Sequence, residues 1–182
     1  MAKSGFAFRT FDQTAFEATK HAWCEDADHG CAFPSEIEQL IDWVEGHMHV
    51  ESGRAVACGV FQSGSNVADA VCEVVITRQS IRSKWVKMLR VRLRPQIDDA
   101  LNSTEASSPN AIKEALEIFA KATVGLLGFG QKERASTIKI YGRTRPQLQL
   151  LLFLGVETPQ GHRPAQLLAF GALLISVLAL MD

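Results

Sequence analysis

Several features are scarce in this chain of 182 residues, and each scarcity narrows what the protein does. The opening MAKSGFAFRTF alternates briefly and lacks the long hydrophobic run of a secretory leader. A cytoplasmic setting is therefore expected, with Cys24, Cys31, Cys58 and Cys72 kept as thiols. Aromatic residues make up only 8% and the net charge is −1, a poor footprint for nucleic acid or a membrane surface. No repeat and no linker interrupts the chain, which reads as a single domain over 1–182.

Two further absences are local. From His21 to Gly53 there is no Lys or Arg, while Glu25, Asp26, Asp28, Glu36, Glu38, Asp42, Glu45 and Glu51 accumulate. From Thr77 to Gln96 there is no acid, while Arg78, Arg82, Lys84, Lys87, Arg90, Arg92 and Arg94 accumulate. Such segregation suits different partners, two solvated faces, or the two sides of a homo-oligomer contact. Gln166–Met181 carries no charge at all. As a helix it would reach about 24 Å, short of the ~20 residues that a bilayer crossing needs. The expectation for 156–182 is an apolar segment that completes a sheet or forms an interface, and not a membrane span.

Hydrophobic content is 47%, enough for a packed core. GFAFRTF alternates as a first strand does, and Asp12 is placed to cap a helix over 13–25 with Phe16, Lys20 and Trp23 at helical spacing. Pro34-Ser35 opens a second helix: Ser35 and Glu38 have capping-box spacing, and Ile37, Leu40, Ile41 and Val44 form the apolar stripe. Three strands follow, over 54–62, 68–78 and 84–95, the first two joined by the turn residues SGSN. Cys58 and Cys72 lie in apolar runs and read as core residues. In the third strand Leu89, Val91 and Leu93 share one face and Arg90, Arg92 and Arg94 the other. That alternation reverses further back, which predicts a bulge near Lys87–Met88.

Residues 99–111 read as a loop, 110–127 as the strongest helix, with Ile112, Leu116, Phe119 and Ala120 on its apolar face and Gly128-Phe129-Gly130 closing it. A short strand over 138–141, a helix from Pro146 to Leu154 and a last strand over 172–181 complete the reading. The fold class is α/β (α+β): a mixed, mainly antiparallel central sheet flanked by helices.

The order β-α-α-β-β-β-α-β-α-(β), opening on FAFRTFD, resembles the GNAT N-acyltransferase superfamily over nearly the whole chain. The resemblance implies an acyl-CoA-dependent N-acyltransferase that uses acetyl-CoA or another acyl-CoA and acts on an amine acceptor. It implies that the stretch Val86–Leu93, with Val86 and Met88, offers backbone groups to the pantetheine arm. It also implies a glycine-rich turn whose amides hold the CoA pyrophosphate at a helix N-terminus. Here that turn is IDDALNSTEASSPNA, without glycine, so the phosphates fall to Arg90, Arg92 or Arg94, or the CoA site is gone.

Acyl transfer to an amine needs a base and an acid. Glu73, between Cys72 and Val74 in an apolar strand, is the candidate base; Tyr141, the one tyrosine, is the candidate acid. Arg143, with Arg145, stands where the following helix begins and suits an anion. The plainer alternatives are an outward-facing strand carboxylate, a strand tyrosine with its hydroxyl satisfied and a solvated arginine pair. His21, Cys24, His29, Cys31, His47 and His49 include zinc-ligand types, but the Cys-x6-Cys spacing matches no standard finger, and no metal site is assigned. The basic run with Trp85 is the one feature that suits a phosphate backbone, against an unsuitable overall composition. Two functions stay open: the acyltransferase, binding acyl-CoA and an amine, and a non-catalytic interaction or assembly subunit of the same fold that has lost CoA binding and works through a protein partner.

Overall fold

The computed structural model describes residues 5–28, 34–49, 55–80, 83–102 and 109–141. Their order is β1 (Phe6–Thr10), α1 (Gln13–Asp28), α2 (Pro34–Gly46), β2 (Ala55–Gln62), β3 (Ala68–Ser80), β4 (Ser83–Leu93), α3 (Pro95–Asn102), α4 (Pro109–Lys132) and β5 (Thr137–Ile140). The strands form one sheet in the order β1-β2-β3-β4-β5, antiparallel except for the parallel pair β4–β5. The expected mixed, mainly antiparallel sheet flanked by helices is what the chain forms. The expected helix from Pro146, the strand over 172–181 and the role of 156–182 lie outside the described residues, as do Arg143 and Arg145.

The start of α1 is fixed as its sequence suggests. Asp12 Oδ1 accepts the Ala15 N–H at 2.8 Å, satisfying one of the free donors of the first turn. That bond, with Arg9 beside it, holds the Asp12 carboxyl below its ordinary range. Trp23 and Thr19 then clasp α1 to the sheet: Trp23 Nε1 donates to the Ala68 carbonyl at 2.9 Å, and the Ala68 N–H donates to Thr19 Oγ1 at 3.0 Å. In α2, Ile37, Leu40, Ile41 and Val44 are all buried, so the apolar stripe is the packed face. These two helices cover Ala57, Phe61, Ala68 and Val71 on one side of the sheet.

The other side is closed by α4. Ala115, Ile118, Phe119, Ala122 and Leu126 pack on Val56, Cys58, Val60, Cys72, Val74, Val86, Met88 and Val91. The buried stripe is rotated from the one expected, for Ile112 is 40% exposed. Nor does Gly128-Phe129-Gly130 end the helix, which runs on to Lys132. Glycine here serves close approach: a Cβ at Gly125 would collide with Phe8, and one at Gly130 with Ile138. The true end is a Schellman cap, with the Ala135 N–H bonded to the Gly130 carbonyl at 2.8 Å and the Arg134 N–H to Gln131 at 3.0 Å. Arg134 takes the left-handed position, at φ 53°.

Two other expectations change. Residues 99–102, expected as the start of a loop, belong to α3, which begins at Pro95 because the Arg94 carbonyl accepts the Ile97 and Asp98 N–H groups and Ile97 is buried. The β4 bulge lies at Leu89: Glu73 pairs with Arg90 and Val74 with Met88, leaving Leu89 without an opposite residue.

Candidate active site

The parallel pair gives the site its position. Trp85, Val86, Lys87 and Met88 lie opposite Thr137, Ile138, Lys139 and Ile140, and the Tyr141 N–H donates to the Met88 carbonyl at 2.9 Å. Among the described residues the pairing runs no further, and β4 continues through Leu89–Leu93.

Side-chain alternation sorts the nominated residues. Val86 and Met88 are buried under α4, and their strand positions are taken up by Ile138 and Ile140. Glu73 lies in register with Ala57 on β2, two residues on from Val71, and so belongs to the face that α1 and α2 partly cover. Tyr141 follows Ile140, which is buried on the α4 side, so it belongs to the Glu73 face too. Glu73 and Tyr141 are thus on one face, separated by β4, a span of roughly 10 Å at ordinary strand spacing. Glu73 is 19% exposed, and Arg90 Nε approaches it at 3.9 Å, close enough for attraction but too far for a hydrogen bond.

The other two arginines of β4 are occupied. Arg92 pairs with Asp98 at 3.0 Å and with Glu36, so it ties β4 to α3 and α2. Burial pushes the Asp98 carboxyl up, and Arg92 opposes that shift. Arg94 bonds to Glu114 of α4 at 2.7 Å and lies 3.9 Å from Asp69, a residue 6% exposed. Asp69 Oδ2 and Arg94 Nε are buried with no hydrogen-bond partner among the described residues. A phosphate at Arg92 or Arg94 would have to displace these carboxylates. The acidic α2, α3 and α4 positions that neutralise the arginines were not recognisable from the sequence, because the partners are up to dozens of residues apart.

Of the histidine and cysteine set, His29 and Cys31 lie outside the described residues. His21 lies 3.2 Å from Glu25, and His47 stacks on Trp43 and donates from Nδ1 to its carbonyl at 2.7 Å. Among the described residues no three metal-ligating side chains come together. Among the same residues no helix is long and apolar enough to cross a membrane.

No family model matches the sequence, and no curated protein matches it. Solved structures do. An aminoglycoside N-acetyltransferase in complex with CoA is 10% identical at a TM-score of 0.42, over 88% of this chain and 91% of that one. A probable acetyltransferase is 7% identical at 0.47, over 87% and 93%. Glucosamine-6-phosphate N-acetyltransferase from Arabidopsis thaliana is 10% identical at 0.40, over 87% and 96%. At these identities and TM-scores the likenesses carry no statement about activity, and what the site can do rests on its own residues.

Proposed function

We propose that the protein is an acyl-CoA-dependent N-acyltransferase acting on an amine. The observation that carries this reading is the placement of Glu73 and Tyr141 on one face of the sheet, with β4 between them and the Tyr141 N–H bonded to the Met88 carbonyl. A pantetheine arm is an extended chain with two amide groups. It can lie along the Leu89–Leu93 edge as an added strand does, exchanging main-chain hydrogen bonds. The residues present fit that arm better than the pyrophosphate, since Arg92 and Arg94 already hold carboxylates.

In this reading Glu73 takes a proton from the acceptor ammonium, directly or through one water. The freed amine attacks the thioester carbonyl, a C–N bond forms and the C–S bond breaks. Tyr141 gives its hydroxyl proton to the departing thiolate and is reprotonated by the second proton that the attacking nitrogen sheds, while Glu73 releases its proton to solvent. Arg90, 3.9 Å away, attracts the Glu73 carboxylate.

Calorimetric titration with acetyl-CoA and longer acyl-CoAs tests this. Saturable binding that survives Glu73→Gln, together with loss of about 10²–10⁴-fold in turnover, is expected. A well-folded sample that binds no acyl-CoA would overturn it. That outcome would favour the second reading, a non-catalytic interaction subunit. The glycine-free stretch between Pro95 and Ile112 and the carboxylate-paired arginines support that alternative.

A further inference from the structure

The face that bears Glu73 and Tyr141 continues along the sheet in rows fixed by strand register. Next to the Glu73 row come Val75, Lys87 and Lys139; beyond them come Thr77, Trp85 and Thr137. Lys87 and Lys139 are therefore side by side on adjacent strands. Like charges so placed destabilise a sheet. Both lysines are half-buried, which adds a desolvation cost. Neither makes an ion pair with any described residue. Each instead lies over the Trp85 ring, Lys139 Nζ at 4.1 Å from its centroid and Lys87 Nζ at 5.4 Å. Thr77 Oγ1, in the Trp85 row, is buried with no hydrogen-bond partner among the described residues. Arg90, Arg92 and Arg94 each have a carboxylate within reach, whereas these two ammonium groups have none among the described residues.

Two half-buried cations without counter-charge among the described residues, on the face of the proposed chemistry, define the ligand by charge. We propose that Lys87 and Lys139 bind the anionic group, a phosphate or a carboxylate, of an amine ligand. Resting on the acyltransferase reading, that ligand is the acceptor. The anion sits between the ammonium groups beside Trp85, and the amine extends toward Glu73 and Tyr141. Glu73 is the one carboxylate on these rows, and Arg90 offsets it. The arrangement selects against purely cationic acceptors.

The test compares three small amines by calorimetry: O-phosphoethanolamine, β-alanine and ethanolamine. A phosphate or carboxylate amine should bind at least about tenfold more tightly than ethanolamine, as charge-assisted hydrogen bonds at a half-buried site allow. Which of the two gains identifies the anion. The double variant Lys87→Met, Lys139→Met should lose that preference and keep its affinity for acetyl-CoA. Its Tm without ligand should be no lower than that of the native protein, because the like-charge contact is gone. Phosphoethanolamine or β-alanine should raise the Tm of the native protein alone. Equal binding of all three amines, or a preference that persists in the double variant, overturns the inference. Absence of acetyl-CoA binding with the anion preference intact removes the acyltransferase reading and leaves the anion site standing.

Discussion

The sheet presents two faces made from the same strands, and they differ in what they tolerate. Toward α4, β2, β3 and β4 present Val56, Cys58, Val60, Cys72, Val74, Val86, Met88 and Val91 without a charged side chain among them. Toward α1 and α2 the same strands begin with Ala57 and Val71 and then turn to Glu73, Thr77, Trp85 and Lys87. A long helix laid across a sheet excludes water from every row, so each inward residue there must be apolar or satisfied. Two shorter helices cover only the first rows of the opposite face. Charge survives on the remaining rows, and that is where the chemistry collects. The cysteines mark the closed face well: burial pushes the Cys58 thiol up to about 12 and holds Cys72, its cross-strand neighbour, well above its ordinary value.

The contrast can be broken most forcefully on the closed face. Phe119→Ala should cost about 3–5 kcal/mol in denaturant unfolding, the usual loss for a buried aromatic truncated to Ala. On the open face, Thr77→Val removes an unsatisfied buried hydroxyl and should leave stability unchanged or higher. A comparable loss at both sites would show the two faces to be equally packed. Next in size is Gly59→Ala. A Cβ there falls 2.6 Å from the Phe61 ring and 3.1 Å from Phe11, under α1 and α2. Overpacking of that kind costs roughly 1–3 kcal/mol, measurable as a fall in Tm.

A pH experiment sharpens the boundary between the faces. The Asp98 carboxyl is raised above its ordinary 3.8 in the folded chain, by burial first and against the pull of Arg92. Its contribution is therefore full below 3.8 and is lost as pH rises through the raised value. Asp98→Asn should abolish that decline, so that stability plotted against pH runs flatter over the weakly acidic range. An unchanged profile would assign the pH dependence to other groups. The smallest effect is expected at the end of α4. Arg134→Gly should raise stability by about 0.5–1 kcal/mol, since glycine holds the left-handed cap without the cost borne by a side chain. Thermal unfolding detects it.

Local rules carried the sequence reading a long way. Asp12 and the Ile37–Val44 stripe depend on residues within a turn of one another, and they place α1 and α2 within a few positions. Alternation through Leu89, Val91 and Leu93 located a bulge within two residues of the one observed. Gly130 was misread because a glycine after a helical run signals a cap by sequence. Only the approach of Ile138, brought in by β5, makes it a packing residue.

The site divides in the same way. Glu73, Tyr141 and the β4 arginines stand out by type and position in the sequence, and the charge segregation of the chain is visible there. Which arginine is free, and which is held, was decided by Glu36, Asp69, Asp98 and Glu114. Lys139 in TIKIYG looks like an ordinary polar residue on a strand until β5 pairs with β4 in parallel register and sets it beside Lys87. Sequence by itself determined the elements, their caps and the segregation of charge, because those depend on spacing along the chain. Tertiary structure alone decided the pairing of charges and the placement of Lys87 beside Lys139, because strand register and helix docking bring together residues that no local rule connects.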